Sequence, residues 1–507
     1  MNASTFACPS PHSGNRLRAT ALLAAAMLAG CAINPPPSAV DPGAPAQFYA
    51  PVPANLSAGA ATATLPHNGS LAALSDWWSR QDDPLLVELI AAGQAASPTV
   101  SAALSGIEQA RFTRVAAGAS LLPSLDGTAS ATRSRAAPFA GISSPPTDTA
   151  QLGLQTSWEI DIFGRGRAQR DADEERLRGA RAQWHDARVS VAAEVANQYY
   201  ALRACNALLD VSRADAFSRS ETSRLTELAM KAGFEAPATA ALARASAAES
   251  RNRLTQQAAQ CDIDTKALVA LTALPEPEIR QKLAQSPVGP QPQAMAAVPA
   301  VPAAVLAQRP DVFNAAREVA AASQEVGSAQ AERYPRLTLG GSITTGKTRI
   351  SGSTASFDTW SIGPLALKVP LLDGGAAAAN TAAAVARYDN AASQYRATAR
   401  QAVREVEEAL VNLQSTADRS GDASLAADGY RASFTGTEAR YRAGLASLVE
   451  LEDARRTLLN SQSAVVSLER ERRGAWIALY RALGGGWTPD APTPDPRTDT
   501  AMTTSPR

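Results

Sequence analysis

The sequence predicts an α+β chain made of two copies of one motif set, in which long helical hairpins alternate with pairs of short strands. Three observations carry this. Five motif pairs recur in order at one separation. The stretches from Arg165 to Glu235 and from Gly375 to Gly444 lack proline, although the chain holds 33. Four segments alternate apolar with polar residues, the period of a strand with one face buried or in lipid.

The motif pairs fix the duplication. "LLPSL" at Pro123 matches "RYPRL" at Pro335, 212 residues on, and "IDIFGR" at Gly164 matches "PLLDGG" at Gly374, 210 on. Glu194 and Glu405, Gly233 and Gly444, and Arg244 and Arg455 mark three further pairs, each 211 apart. Chance similarity between Ala-rich helices would not keep order and spacing together, so the chain is an internal repeat.

Residues 1–30 read as a secretory signal, with Arg16 and Arg18 before the apolar run "ATALLAAAM" and "LAGC" at its end. That run is too short to span a bilayer. "LAGC" is similar to the lipobox of bacterial lipoproteins, which implies cleavage before Cys31 and acylation of its thiol. Ala32 then implies export to the outer membrane. Residues 31–75 are a Pro-rich, lipid-anchored segment. The first repeat is expected over 76–274, an inter-repeat linker over 275–305, the second repeat over 306–486 and a disordered tail over 487–507.

Within each repeat the proline-free stretch is a helix candidate ended by a turn glycine, Gly233 or Gly444. Gly164 to Gly233 is 69 residues, about 100 Å of helix. Val189, Ala193, Ala196 and Tyr200 form a narrow stripe of the kind that packs helices closely. A second helix returns after each turn, ending near Leu274 and Leu483. Cys205 and Cys261 lie 28 residues before and after Gly233, which brings them to one height in an antiparallel hairpin. A disulfide is expected there if the side chains face each other, and two packed thiols otherwise.

"QLGLQTSWEIDI" alternates throughout, "RLTLGGSIT" repeats the pattern and "SLDGTASAT" is weaker. "TWSIGPLALKVPLL" changes phase at Gly363 and Pro364, as a bulge would. Two-faced strands of about ten residues are the signature of a membrane barrel; a soluble sheet lying on the helices is the alternative. Four strands cannot close, and an open edge in lipid leaves backbone groups unpaired. A barrel therefore needs several chains: two give eight strands and a filled interior, three give twelve and a lumen.

Composition excludes other classes. With 48 basic and 48 acidic residues there is no basic excess for nucleic acid. Aromatic content of 5% favours extended helices over an aromatic-centred globule. His12, His67 and His185 are scattered, without metal-ligand spacing. Gly341 to Thr348 satisfies the spelling of a phosphate-binding loop, but it ends a strand and runs into a Gly/Ser/Thr loop with no helix to hold phosphate. Asp373 behind it reads as a helix N-cap. No cofactor, metal or catalytic residue is expected.

Taken together, "LAGC", "SLLPSL", "SWEIDIFGRGR", "QRPDV", "PLLDGG" and "RYRAGLASLVELEDARR" resemble the TolC-like outer-membrane factors, in particular the NodT/OprM-type efflux lipoproteins. "LLDGG" departs from the usual Phe-Asp-Gly-Gly by one apolar residue. The resemblance implies a homotrimer whose twelve strands form an outer-membrane β-barrel, continuous with a long α-helical, coiled-coil barrel in the periplasm. It implies a passive duct for drugs and toxic small molecules, fed by an inner-membrane resistance-nodulation-division pump through a periplasmic adaptor. It implies a periplasmic gate at Val449, Asp453 and Arg456, with Asp453 forming a carboxylate ring whose mutual repulsion makes opening cheap. Gly233 and Gly444 become adaptor-docking tips. The competing readings are a lipid-anchored periplasmic coiled-coil scaffold without a pore and a P-loop nucleotide hydrolase.

Overall fold

The structure is a computed structural model that describes residues 33–43, 45, 48–50, 77–78, 83–135, 145–286 and 309–487. The signal 1–30, Cys31 and residues 488–507 lie outside them. In chain order the elements are α1 Pro84–Ala96, α2 Pro98–Ala119, β1 Ser124–Ser134, β2 Thr147–Ile160, α3 Arg165–Lys231, α4 Pro237–Thr272 and α5 Glu276–Gln285, then α6 Pro310–Ala331, β3 Arg336–Ile350, β4 Ser353–Lys368, α7 Ala376–Arg442 and α8 Leu448–Ala482. The chain divides into two compact units, and each draws on both repeats. Duplication therefore does not give one unit per copy: in the sheet, β2 of the first copy pairs directly with β3 of the second.

The first unit holds the sheet. Its order is β1-β2-β3-β4, antiparallel throughout, with β1 and β4 as open edges. Leu154 opposes Ile343, which opposes Trp360, so the apolar positions of neighbouring strands fall on one face. These side chains stay exposed: Ile343 is 65%, Trp360 75% and Ile362 85% accessible. β3 continues through Lys347 and Arg349 to Ile350, and only Ser351 and Gly352, both at positive φ, make the turn into β4. The expected Gly/Ser/Thr loop is thus mostly strand, because cross-strand pairing continues to Ile350 and Ser353. The phosphate-loop spelling is a strand on both sides. At Gly363 the register shifts between Leu339 and Gly341, where the sequence changes phase.

The second unit is helical. Its core contains Trp77, Trp78, Tyr199, Trp476 and Tyr480 within a long Ala, Val and Leu seam. Trp77 lies 5.8 Å from Trp476 and Trp78 4.8 Å from Tyr480, ring centre to ring centre. Five of the aromatics are thus gathered in one core, which bulk composition does not reveal. The stripe Val189, Ala193, Ala196 and Tyr200 is buried. Cys205 and Cys261 are bonded, with Cα atoms 5.5 Å apart, joining α3 to α4. Three further features differ from the sequence reading. Pro98 splits the first helical stretch into α1 and α2, α5 occupies part of the expected linker, and β2 begins four residues earlier than its alternation, at Thr147.

Candidate functional site

The second hairpin ends in a turn at Gly444. Leu445 donates its N–H to the Arg440 carbonyl at 2.8 Å and Gly444 to Tyr441 at 2.9 Å, and φ of Gly444 is 73°. This is a Schellman closure, for which glycine suits the left-handed position. The first turn repeats it: Phe234 donates to Ala229 at 2.8 Å, with φ of Gly233 at 82°. Phe234 and Leu445, just past the glycines, are 85% and 70% exposed. A side chain at either glycine would meet no atom within 4 Å.

α8 then starts abruptly. The Ser447 hydroxyl accepts from the Glu450 N–H at 3.2 Å, while the Glu450 carboxylate accepts from the Ser447 N–H at 2.7 Å, a complete capping box. Those bonds hold the exposed Glu450 carboxyl below its ordinary pKa. From this fixed start, Val449, Asp453 and Arg456 follow at helical spacing on one exposed face. Val449 is 64% exposed, and Arg456 pairs with Asp453 at 2.5 Å.

The opposite face is tied down. Leu448 and Leu451 pack on Ala243, with Phe434 and Tyr441 against them. Below them Glu452 accepts from Ser246 at 2.8 Å and pairs with Arg219, which also binds Asp215 at 2.9 Å. Arg455, only 3% exposed, bonds Glu452 at 2.7 Å, Ser218 at 3.0 Å and Thr222 at 3.1 Å. Its guanidinium lies 5.6 Å from the Phe434 ring centre, and burial pushes its pKa down. A buried charge network thus clamps the start of α8 onto α3 and α4. Breaking one partner of such a network costs about 3–5 kcal/mol.

The structure brings Val449, Asp453 and Arg456 together beside a groove of about 700 Å³, also lined by Leu242, Glu249 and Arg253. Two features differ from the simple carboxylate-ring picture. Asp453 has an exposed ion-pair partner in Arg456 on its own helix, and its neighbour Glu452 is anchored. The network residues Asp215, Arg219 and Glu452 were missed from sequence. A signal existed: Leu448, Leu451, Glu452 and Arg455 share the i, i+3, i+4, i+7 spacing of a buried stripe. The repeat partner of Arg455, Arg244, is exposed and lies 3.7 Å from Glu227, so the duplication alone does not predict burial.

The other sequence candidates have structural roles. Asp373 caps α7, accepting from Ala377 at 2.8 Å and Gly375 at 2.9 Å. His185 lies between Trp184 and Trp487, where burial lowers its pKa to about 4. Among the described residues no group of His, Cys, Asp and Glu has the arrangement of a metal site, and no single helix is long and apolar enough to cross a membrane.

Fold and site define one class: a duplicated protomer with a four-stranded sheet whose one apolar face is exposed, and with two long helical hairpins each turned at a glycine. Comparison with known proteins agrees. The outer membrane efflux protein profile matches residues 89–274 and 301–485, and the chain belongs to that family of outer-membrane efflux channels. It is 27% identical to the solvent efflux pump outer membrane protein SrpC of Pseudomonas putida, over 80% of this chain and 86% of that one. It is 27% identical to nodulation protein T of Rhizobium leguminosarum bv. trifolii, over 92% and 96%. The outer membrane protein VceC of Vibrio cholerae superposes with a TM-score of 0.69 at 26% identity, covering 81% of this chain and 98% of that one.

Proposed function

We propose that three copies of this chain form a passive export duct, the outer-membrane component of a tripartite efflux pump. The observation that carries this reading is the four-stranded sheet with both edges open and one face apolar and exposed. In lipid such edges must pair, and three sheets close a twelve-stranded barrel with a lumen. Cys31 anchors each chain to the outer membrane through its acyl groups. The hairpins extend into the periplasm, where Gly233 and Gly444, with Phe234 and Leu445 beside them, receive a periplasmic adaptor. That adaptor links the duct to an inner-membrane resistance-nodulation-division pump, whose pocket selects the small molecules. Val449, Asp453 and Arg456 of three α8 helices narrow the tunnel, and the buried network at Glu452 latches each helix in the narrow state. The duct performs no chemistry of its own.

The test is biochemical and electrical. Outer-membrane fractions should yield heat-modifiable trimers that conduct in planar bilayers and carry a lipid adduct on Cys31. A water-soluble monomer without affinity for detergent micelles would end the proposal.

A further inference from the structure

We propose that the turn end of the sheet's apolar face binds the phosphate headgroups of anionic lipid in the distal membrane leaflet, through Lys347 and Arg349. The inference rests on the barrel reading above and deepens it.

Strand register sorts the sheet into rows. On the apolar face, one row near the helix end is Trp158, Leu339 and Leu365, and a middle row is Leu154, Ile343 and Trp360. Farther out this face continues with Ala131, Ala150 and Lys347, then Arg133, Asp148 and Arg349. The other face at the same height carries Thr132, Thr149 and Thr348. The basic residues in the outer part of these strands, Arg133, Lys347 and Arg349, thus all stand on the lipid side. A polar lumen would be the cheap place for them.

Height decides what they meet. Leu337 to Lys347 is ten residues, about 33 Å along a strand and about 25 Å of height at the tilt of a barrel strand. That is the thickness of an outer-membrane apolar band, so Lys347 emerges at headgroup level. A cation there escapes the penalty of the bilayer centre and meets the anionic surface. Lys347 and Arg349 are two residues apart, about 7 Å, and their long side chains can converge on one phosphate.

The backbone beneath is also shaped for a headgroup. Where the lower rows are filled by Trp and Leu, the outer rows carry Ala129 beside Leu152 and then Ala131 beside Ala150, leaving a shallow trough of about 620 Å³ that Lys347 also lines. Two carboxylates share the face. Asp148 pairs with Arg133 at 3.5 Å, and Asp358 stands opposite Thr345. Three cations against two carboxylates leave a positive excess, and among the described residues Lys347 and Arg349 have no ion-pair partner.

The experiment uses the full-length trimer in phosphatidylcholine vesicles with or without lipid A, followed by native mass spectrometry of the extracted protein. Wild type should retain lipid A in preference to phosphatidylcholine. K347Q/R349Q should lower retention by about 30-fold, at about fivefold per lost cation. R336Q, at the opposite end of β3, should leave retention unchanged, and the charge-conserving K347R/R349K should keep most of it. Equal retention by K347Q/R349Q, or displacement of lipid A by inorganic phosphate alone, overturns the assignment while leaving the barrel intact. Failure of wild type to enter vesicles overturns both.

Discussion

At the scale of single residues, the proposed constriction sets an exposed pair against a buried clamp. Val449, Asp453 and Arg456 face outward, while Glu452 and Arg455, on the same helix, bind Ser246, Arg219, Ser218 and Thr222. Asp453→Ala with Val449→Ala removes only exposed groups, so it should widen the pore with little loss of stability. Glu452→Ala leaves Arg219 and Arg455 short of a carboxylate and should weaken the latch by about 3 kcal/mol. Both variants should raise single-channel conductance, Glu452→Ala also lowering the melting temperature; unchanged conductance in both would move the constriction elsewhere. The outward face was named from sequence through the family resemblance, and the structure adds that its residues are exposed. The clamp was not, because Arg219 and Glu452 are 233 residues apart and a charge inside a helix seam reads at first as a solvated one.

At the scale of elements, sequence pattern served well where chain stiffness or strand period decides structure. The proline-free stretches became α3 and α7, each 67 residues long, and the turn glycines ended them. Alternation found every strand, including the phase change at Gly363. It lost the start of β2, the end of β3 and both ends of β4, which runs Ser353–Lys368 and stops before Val369, because Ser, Thr and Gly pair as strand when a partner strand is beside them. The hairpin tips allow a direct test. Gly444→Val forces a branched residue into a left-handed conformation at a cost of about 1–2 kcal/mol, with no atom for it to strike. Trimers should survive, while drug efflux by cells expressing the variant should fall sharply. Efflux equal to wild type would remove the tip from the docking surface.

At the scale of the whole molecule, the duplication was legible from five motif pairs, yet the packing of its copies was not. Each unit mixes both repeats, since a repeat exposes faces that only its twin can cover. The two copies have also ceased to be equivalent. Cys205 and Cys261 bind α3 to α4, whereas the positions 211 residues on are Thr416 and Arg472. One arm carries a covalent rivet, and the other is held by noncovalent contacts alone. The second is the arm whose helix α8 bears Val449 and Asp453. Amide hydrogen exchange should therefore be slower along α3 and α4 than along α7 and α8, and reduction of the rivet should bring the two arms level.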